Sequence, residues 1–167
     1  MSFEKLIHER YSVRKFKSDS ISQEKIDKIL QAGRIAPTAR NSQSQRFKVL
    51  TTAEELAMVD ACTPCRFNAP LVLLICYDSN VCPKDTEGNQ IGEMDATIAI
   101  TQMMLQAWDL GVGSCWVRHM DFPKTREVFN LPDNLVPISF LPLGYATDEC
   151  KTSANHGRRM PIQEFLF

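Results

Sequence analysis

Three stretches of this chain carry side chains able to do chemistry. In RYSVRKF, residues 10–16, Arg10, Ser12 and Arg14 alternate, and an extended backbone puts alternate residues on one side. Two guanidiniums and a hydroxyl on one face would clamp a phosphate, because Arg presents a planar fork of donors. The same segment, flanked by Lys15 and Lys17, also reads as a solvated edge strand. In APTARNSQSQ, residues 36–45, Thr38, Asn41 and Gln43 offer donors and acceptors without charge, which suits the edge of a heteroaromatic ring. An ordinary capped turn has the same composition. Cys62-Thr63-Pro64-Cys65 is a CxxC, but without the second pair of a zinc site or a thioredoxin-like helix start.

The familiar catalytic motifs are missing. There is no Walker loop, HExxH, GxSxG or paired-Cys zinc pattern, and no metal site is expected. Gly111-Val112-Gly113 follows a predicted helix and precedes a predicted strand, the reverse of a dinucleotide-binding loop. His8, His119 and His156 are far apart and read as surface or core residues. A chain with phosphate-binding and ring-edge candidates but no nucleophile–base pair fits an enzyme whose cofactor does the chemistry.

These candidates need a frame. The 167 residues are one domain by size, residues 1–167, with 44% hydrophobic and 23% charged residues. A net charge of −1 gives no basic field for nucleic acid or anionic lipid. The start, MSFEKLIHERYS, is charged and amphipathic rather than a signal peptide, no segment reads as a membrane span, and a cytoplasmic location is expected. The six Cys read as thiols, with Cys76 and Cys115 as small buried hydrophobes in strands.

Residues 91–110, IGEMDATIAITQMMLQAWDL, lack Pro and, from Glu93 on, Gly, which predicts about five helical turns. Apolar residues cover most of its circumference, as in a helix central to one core or shared between two chains, and Gly111 would end it in the left-handed conformation. Shorter helices are predicted over 2–10, from a Ser22 cap to about 35, over 53–61 behind a Thr52/Glu55 capping box, and over 123–130. Strands are predicted at 46–51, at the doubly covered PLVLLIC run from Pro70, at 114–119, and at 135–143 near an edge because of Pro137 and Pro142. Residues 78–90 form a long polar loop, a candidate lid, and the tail ends apolar at Ile162, Phe165, Leu166 and Phe167.

In this order and spacing, RxSxR at 10–14, APTAxNxQ at 36–43 and GVGSCW at 111–116 resemble the FMN-dependent nitroreductase family, of which this chain would be a short member. The resemblance implies an α+β fold, a mostly antiparallel sheet wrapped by helices, with long central helices meeting across a homodimer and the apolar tail reaching over the partner. It implies that Arg10, Tyr11, Ser12 and Arg14 bind FMN at its phosphate, ribityl chain or N1–C2=O2 end. Pro37, Thr38, Ala39, Asn41 and Gln43 would line the ring from the other subunit; Trp116, Val117 and Arg118 would run near N5, and Arg159 with Arg158 would add to the phosphate site. The implied activity is NAD(P)H oxidation with ping-pong hydride transfer through flavin N5 to a nitroaromatic or quinone-like acceptor. Gln43-Ser44-Gln45 stands where many relatives have Gln-Pro-Trp, so an aromatic wall is missing and a more open pocket is expected. Two other functions compete with this one: flavin storage or sensing without turnover, and thiol redox chemistry through Cys62 and Cys65.

Overall fold

Every residue from Leu71 to Cys76 is apolar because the strand it forms is covered on both faces. The computed structural model describes residues 2–167. Strand β2 (Leu71–Asp78) lies between β1 (Gln45–Leu50) and β4 (Leu135–Gly144), and the two-residue β3 (Gly113–Ser114) completes a four-stranded antiparallel sheet of order β1-β2-β4-β3. Alternation divides the core. Leu71, Leu73, Ile75 and Tyr77 pack with Ile29, Ala96, Ile100 and Met103, whereas Val72, Leu74 and Cys76 pack with Val59, Cys62, Cys115 and Phe140. Helices α2 (Gln23–Arg34) and α4 (Gly92–Asp109) cover the first face. Helices α3 (Ala53–Cys62) and α5 (Phe122–Val128) lie on the second, and α1 (Phe3–Glu9) rests on α4. This is the α+β, antiparallel architecture that the resemblance implies.

Helix α4 runs through the layer it shares with α2. Ala96, Ala99, Ile100, Met103 and Ala107 are buried, while Met94 and Ile98 on its outer face remain 68% and 40% exposed. Gly111, at φ +73°, turns the chain out of the helix, and its N–H donates to the Trp108 carbonyl at 2.9 Å. The box at α3 forms as expected: Thr52 Oγ1 accepts the Glu55 N–H at 3.2 Å, and Glu55 Oε2 accepts the Thr52 N–H at 3.1 Å. Ser22 precedes α2, but its hydroxyl makes no capping bond.

β4 lies near an edge, as expected, with only the two-residue β3 beyond it. Its prolines are tolerated because Pro137 sits at a bulge, where pairing shifts between Ile75 and Cys76, and because Pro142 faces the short β3 side, its carbonyl accepting the Cys115 N–H at 3.2 Å. The predicted strand at 114–119 shrinks to Gly113–Ser114 plus a single bridge between Val117 and Phe140. The polar loop 78–90 folds around Asp85, whose Oδ1 accepts the N–H groups of Glu87 and Asn89 at 2.9 and 2.8 Å. Among the described residues, no helix is long and apolar enough to cross a membrane.

Candidate functional site

Residues 10–14 leave α1 and lie along β3. The Val13 N–H donates to the Ser114 carbonyl at 3.0 Å, and Val13 is fully buried. Gly113 permits this approach, since a Cβ there would lie 2.6 Å from Val13 Cγ2. Tyr11 turns inward against Trp108 of α4, and its hydroxyl donates to the Cys150 carbonyl at 3.4 Å. With the backbone fixed, Arg10, Ser12 and Arg14 line a polar cavity of about 360 Å³ together with Tyr11, Ser153, Asn155, His156 and Arg159.

The far wall of that cavity is a turn folded back from the end of the chain. His156 Nε2 bonds to the His8 carbonyl at 3.0 Å, and Arg159 donates to the carbonyls of His156 and Arg158. His156 therefore belongs to the cavity, not to an isolated surface or core position. Arg158 is exposed, reaches back to Asn155, and does not line the cavity. Burial holds the Arg10 guanidinium below its ordinary value; the Cys115 thiol opposes this, and Arg159 adds to it. Among the described residues, no carboxylate pairs with Arg10, Arg14 or Arg159. Three cations facing a polar cavity, with no counter-ion among the described residues, are an arrangement that suits an anion.

The ring-edge loop lies elsewhere. Thr38 Oγ1 accepts the Gln43 N–H at 3.0 Å, and the Thr38 carbonyl accepts the Asn41 N–H at 3.0 Å. The loop is fastened to the start of α4 through Asp95, which accepts from the Ala39 N–H and the Ser42 hydroxyl. Tyr11 packs on Trp108 at the other end of that helix. At 1.5 Å per residue, Asp95 and Trp108 stand about 20 Å apart. One chain thus does not bring Pro37, Thr38, Ala39, Asn41 and Gln43 to the cation cavity.

The turn after β3 is divided. Trp116 is 39% exposed beside the buried Cys115. Val117 is buried, and its N–H and C=O are both paired with Phe140, at 2.9 and 3.0 Å. Arg118 turns away from the cavity: it donates to the Ile138 carbonyl at 2.9 Å, pairs with Glu93 at 2.9 Å and stacks over Phe122. All six cysteines are free thiols. Burial pushes the Cys62 thiol up, and Asp121 adds to this; together they outweigh Thr125 and Lys124, which favour the thiolate, so the net shift is opposite to what a reactive thiolate needs.

Sequence reasoning missed Ser153, Asn155 and His156, which lie in an aperiodic polar stretch more than 130 residues beyond Arg14. The role of Asp95 had one visible signal, an acid inside an otherwise apolar helix face.

The model of the nitroreductase family matches residues 7–65 and 63–145. A protein of Archaeoglobus fulgidus, provisionally named NADH dehydrogenase/NAD(P)H nitroreductase, is 33% identical over 152 residues, covering 87% of this chain and 86% of its own. The crystal structure of a nitroreductase family protein from Clostridium difficile 630 matches with a TM-score of 0.94 at 35% identity, over 100% of this chain and 98% of that one. An FMN-dependent nitroreductase from Clostridium difficile R20291 matches with a TM-score of 0.78 at 29% identity, over 95% of this chain and 98% of that one.

Proposed function

This chain belongs to the nitroreductase family, and from that premise we propose that it is a homodimeric, FMN-dependent oxidoreductase carrying hydride from NAD(P)H to a nitroaromatic or quinone-like acceptor. Its relatives are named for NAD(P)H and for FMN, and the enzyme class is that of an oxidoreductase.

The observation that carries the reading is the cavity where Arg10, Arg14 and Arg159 converge with Ser12 and no carboxylate. A phosphate monoester brings about −1.5 to −2 charges at neutral pH, together with acceptor oxygens that suit guanidinium and hydroxyl donors. Ser153, Asn155 and His156 would complete the grip at the phosphate end. Trp116 would flank the ring, and Pro37, Thr38, Ala39, Asn41 and Gln43 would reach it from the second chain. When bound, FMN supplies the hydride carrier; the chain's own groups bind it, orient it and shield it from water.

Two features support the dimer. Met94 and Ile98 on α4, Ile35 after α2, and Phe3 and Ile7 on α1 are exposed apolar residues, as are Ile162, Phe165, Leu166 and Phe167 of the tail. Exposed large apolar residues on α1, α4 and the tail are what a second chain would cover. The second feature is the separation of loop and cation cavity along α4, which a second chain would close.

The test is direct. Flavin released by heat should chromatograph as FMN at one per chain, and the holoprotein should consume NADH or NADPH when a quinone is added. Bound flavin without nucleotide consumption would favour storage or sensing, and failure to take up FMN on reconstitution would sink the reading.

A further inference from the structure

We propose that Asp95 is the positioning residue of the ring-edge loop, a latch that holds residues 38–43 in the shape that presents Thr38 and Asn41 to a flavin. The inference rests on the reading that this loop serves the flavin site.

Asp95 is 3% exposed, at a position on α4 whose neighbours facing the core are Ala96, Ala99 and Ile100. Among the described residues no cation pairs with it. A carboxylate buried without a counter-ion is costly unless its oxygens are satisfied, and here both are. Oδ1 accepts the Ala39 N–H at 3.0 Å and Oδ2 accepts the Ser42 hydroxyl at 3.2 Å. These bonds grip the loop on either side of Arg40 and Asn41, which sit at φ +55° and +54°; Gln43 follows at +50°. None is glycine, so each occupies a left-handed conformation that persists only where the surroundings over-determine it. Within residues 38–43 the loop is held by the Thr38 hydroxyl and the carbonyls of Thr38 and Ala39, and at its far end the Gln43 carbonyl accepts from Arg46 of β1 at 2.8 Å, beyond the left-handed pair at 40 and 41. Asp95 joins that strained turn to a rigid element. An apolar residue would serve the helix core equally well; the acid serves the loop.

Arg40 is exposed in the loop, so trypsin reads its state in flavin-free protein. Asp95→Ala should speed cleavage after Arg40 selectively and weaken FMN binding by about tenfold, as expected for lost charge-assisted bonds. Asp95→Asn, which keeps an acceptor for Ala39 and a donor for the Ser42 oxygen, should restore both to within about threefold. Should Asp95→Ala fail to fold, Ser42→Ala cuts one bond from the loop side and should shift both readouts in the same direction. Unchanged cleavage and FMN affinity in these variants, with Thr38→Ala/Asn41→Ala still weakening FMN, would overturn the latch and leave the reading standing. Thr38→Ala/Asn41→Ala binding FMN as wild type would remove the loop from the flavin site, and the latch with it.

Discussion

The ring of Tyr11 stands edge-on to the indole of Trp108, with centroids 5.0 Å apart and planes at 69°. This contact ties the arginine segment to the last turn of α4, so the shape of the cation cavity depends on Trp108, which does not line it. Tyr11→Leu should keep the bulk but lose the ring pair, worth about 0.5–1.5 kcal/mol beyond its buried area. Thermal unfolding should show a lower Tm, and an FMN titration a severalfold weaker affinity. Tyr11→Phe should stay close to wild type, since it loses only the 3.4 Å bond to Cys150.

Arg14 faces the cavity and, among the described residues, pairs with no carboxylate. Arg14→Ala should cost about 1.5–3 kcal/mol of FMN binding, the worth of a hydrogen bond to a charged group. Lys at this position should recover only part, because it keeps charge without the planar fork. Fluorescence quenching of FMN by the apoprotein measures all three.

Mixed dimers test the second chain's contribution. One chain carries Arg10→Ala and Arg14→Ala, the other Thr38→Ala and Asn41→Ala. If the loop acts across the interface, both lesions fall on one site and the other stays intact, so heterodimers should recover close to half of wild-type flavin. A loop acting within its own chain would leave both sites damaged. A monomer in sedimentation that holds full flavin would sink the dimer outright.

Asp78 joins the end of β2 to its surroundings. Its carboxylate accepts from Asn134 at 2.8 Å, the Asn80 N–H at 3.0 Å and Arg46 at 3.1 Å, and these bonds, that of Asn134 first, hold its pKa below the usual aspartate value. A depressed folded pKa stabilises above the unfolded value, about 3.9, and that stabilisation is lost as pH falls through the folded one. Asp78→Asn should therefore have a lower Tm at pH 7, with the gap to wild type closing below pH 4. A gap that stayed constant down to pH 2 would show that the charge is not what matters.

Much of this architecture was legible in the chain because single local signals agreed with the tertiary outcome. The unbroken apolar run of β2 announced cover on both faces, and Thr52 with Glu55 announced the start of α3. Pro137 and Pro142 pointed to a strand near an edge, but a missing donor does not tell an open edge from a bulge or from a neighbour that stops after two residues. The alternation of Arg10, Ser12 and Arg14 was readable, but His156 and Asn155 reach that cavity only through the fold-back of an aperiodic tail. Arg118 lies next to Val117 in the chain, yet its pairing with Glu93 takes it to another place. No local pattern encodes such a turn.

Helix α4 also acts as a gauge. It holds the latch for the loop at Asp95 and the footing of the arginine segment at Trp108, and a helix fixes both the distance and the angle between two of its residues. Inserting one residue between them would lengthen the span by about 1.5 Å and turn one end against the other by about 100°. Either end could repack, but not both at once. The number of residues from 95 to 108 is thus constrained more tightly than their identities, and length changes in this protein should fall in the polar loop at 78–90.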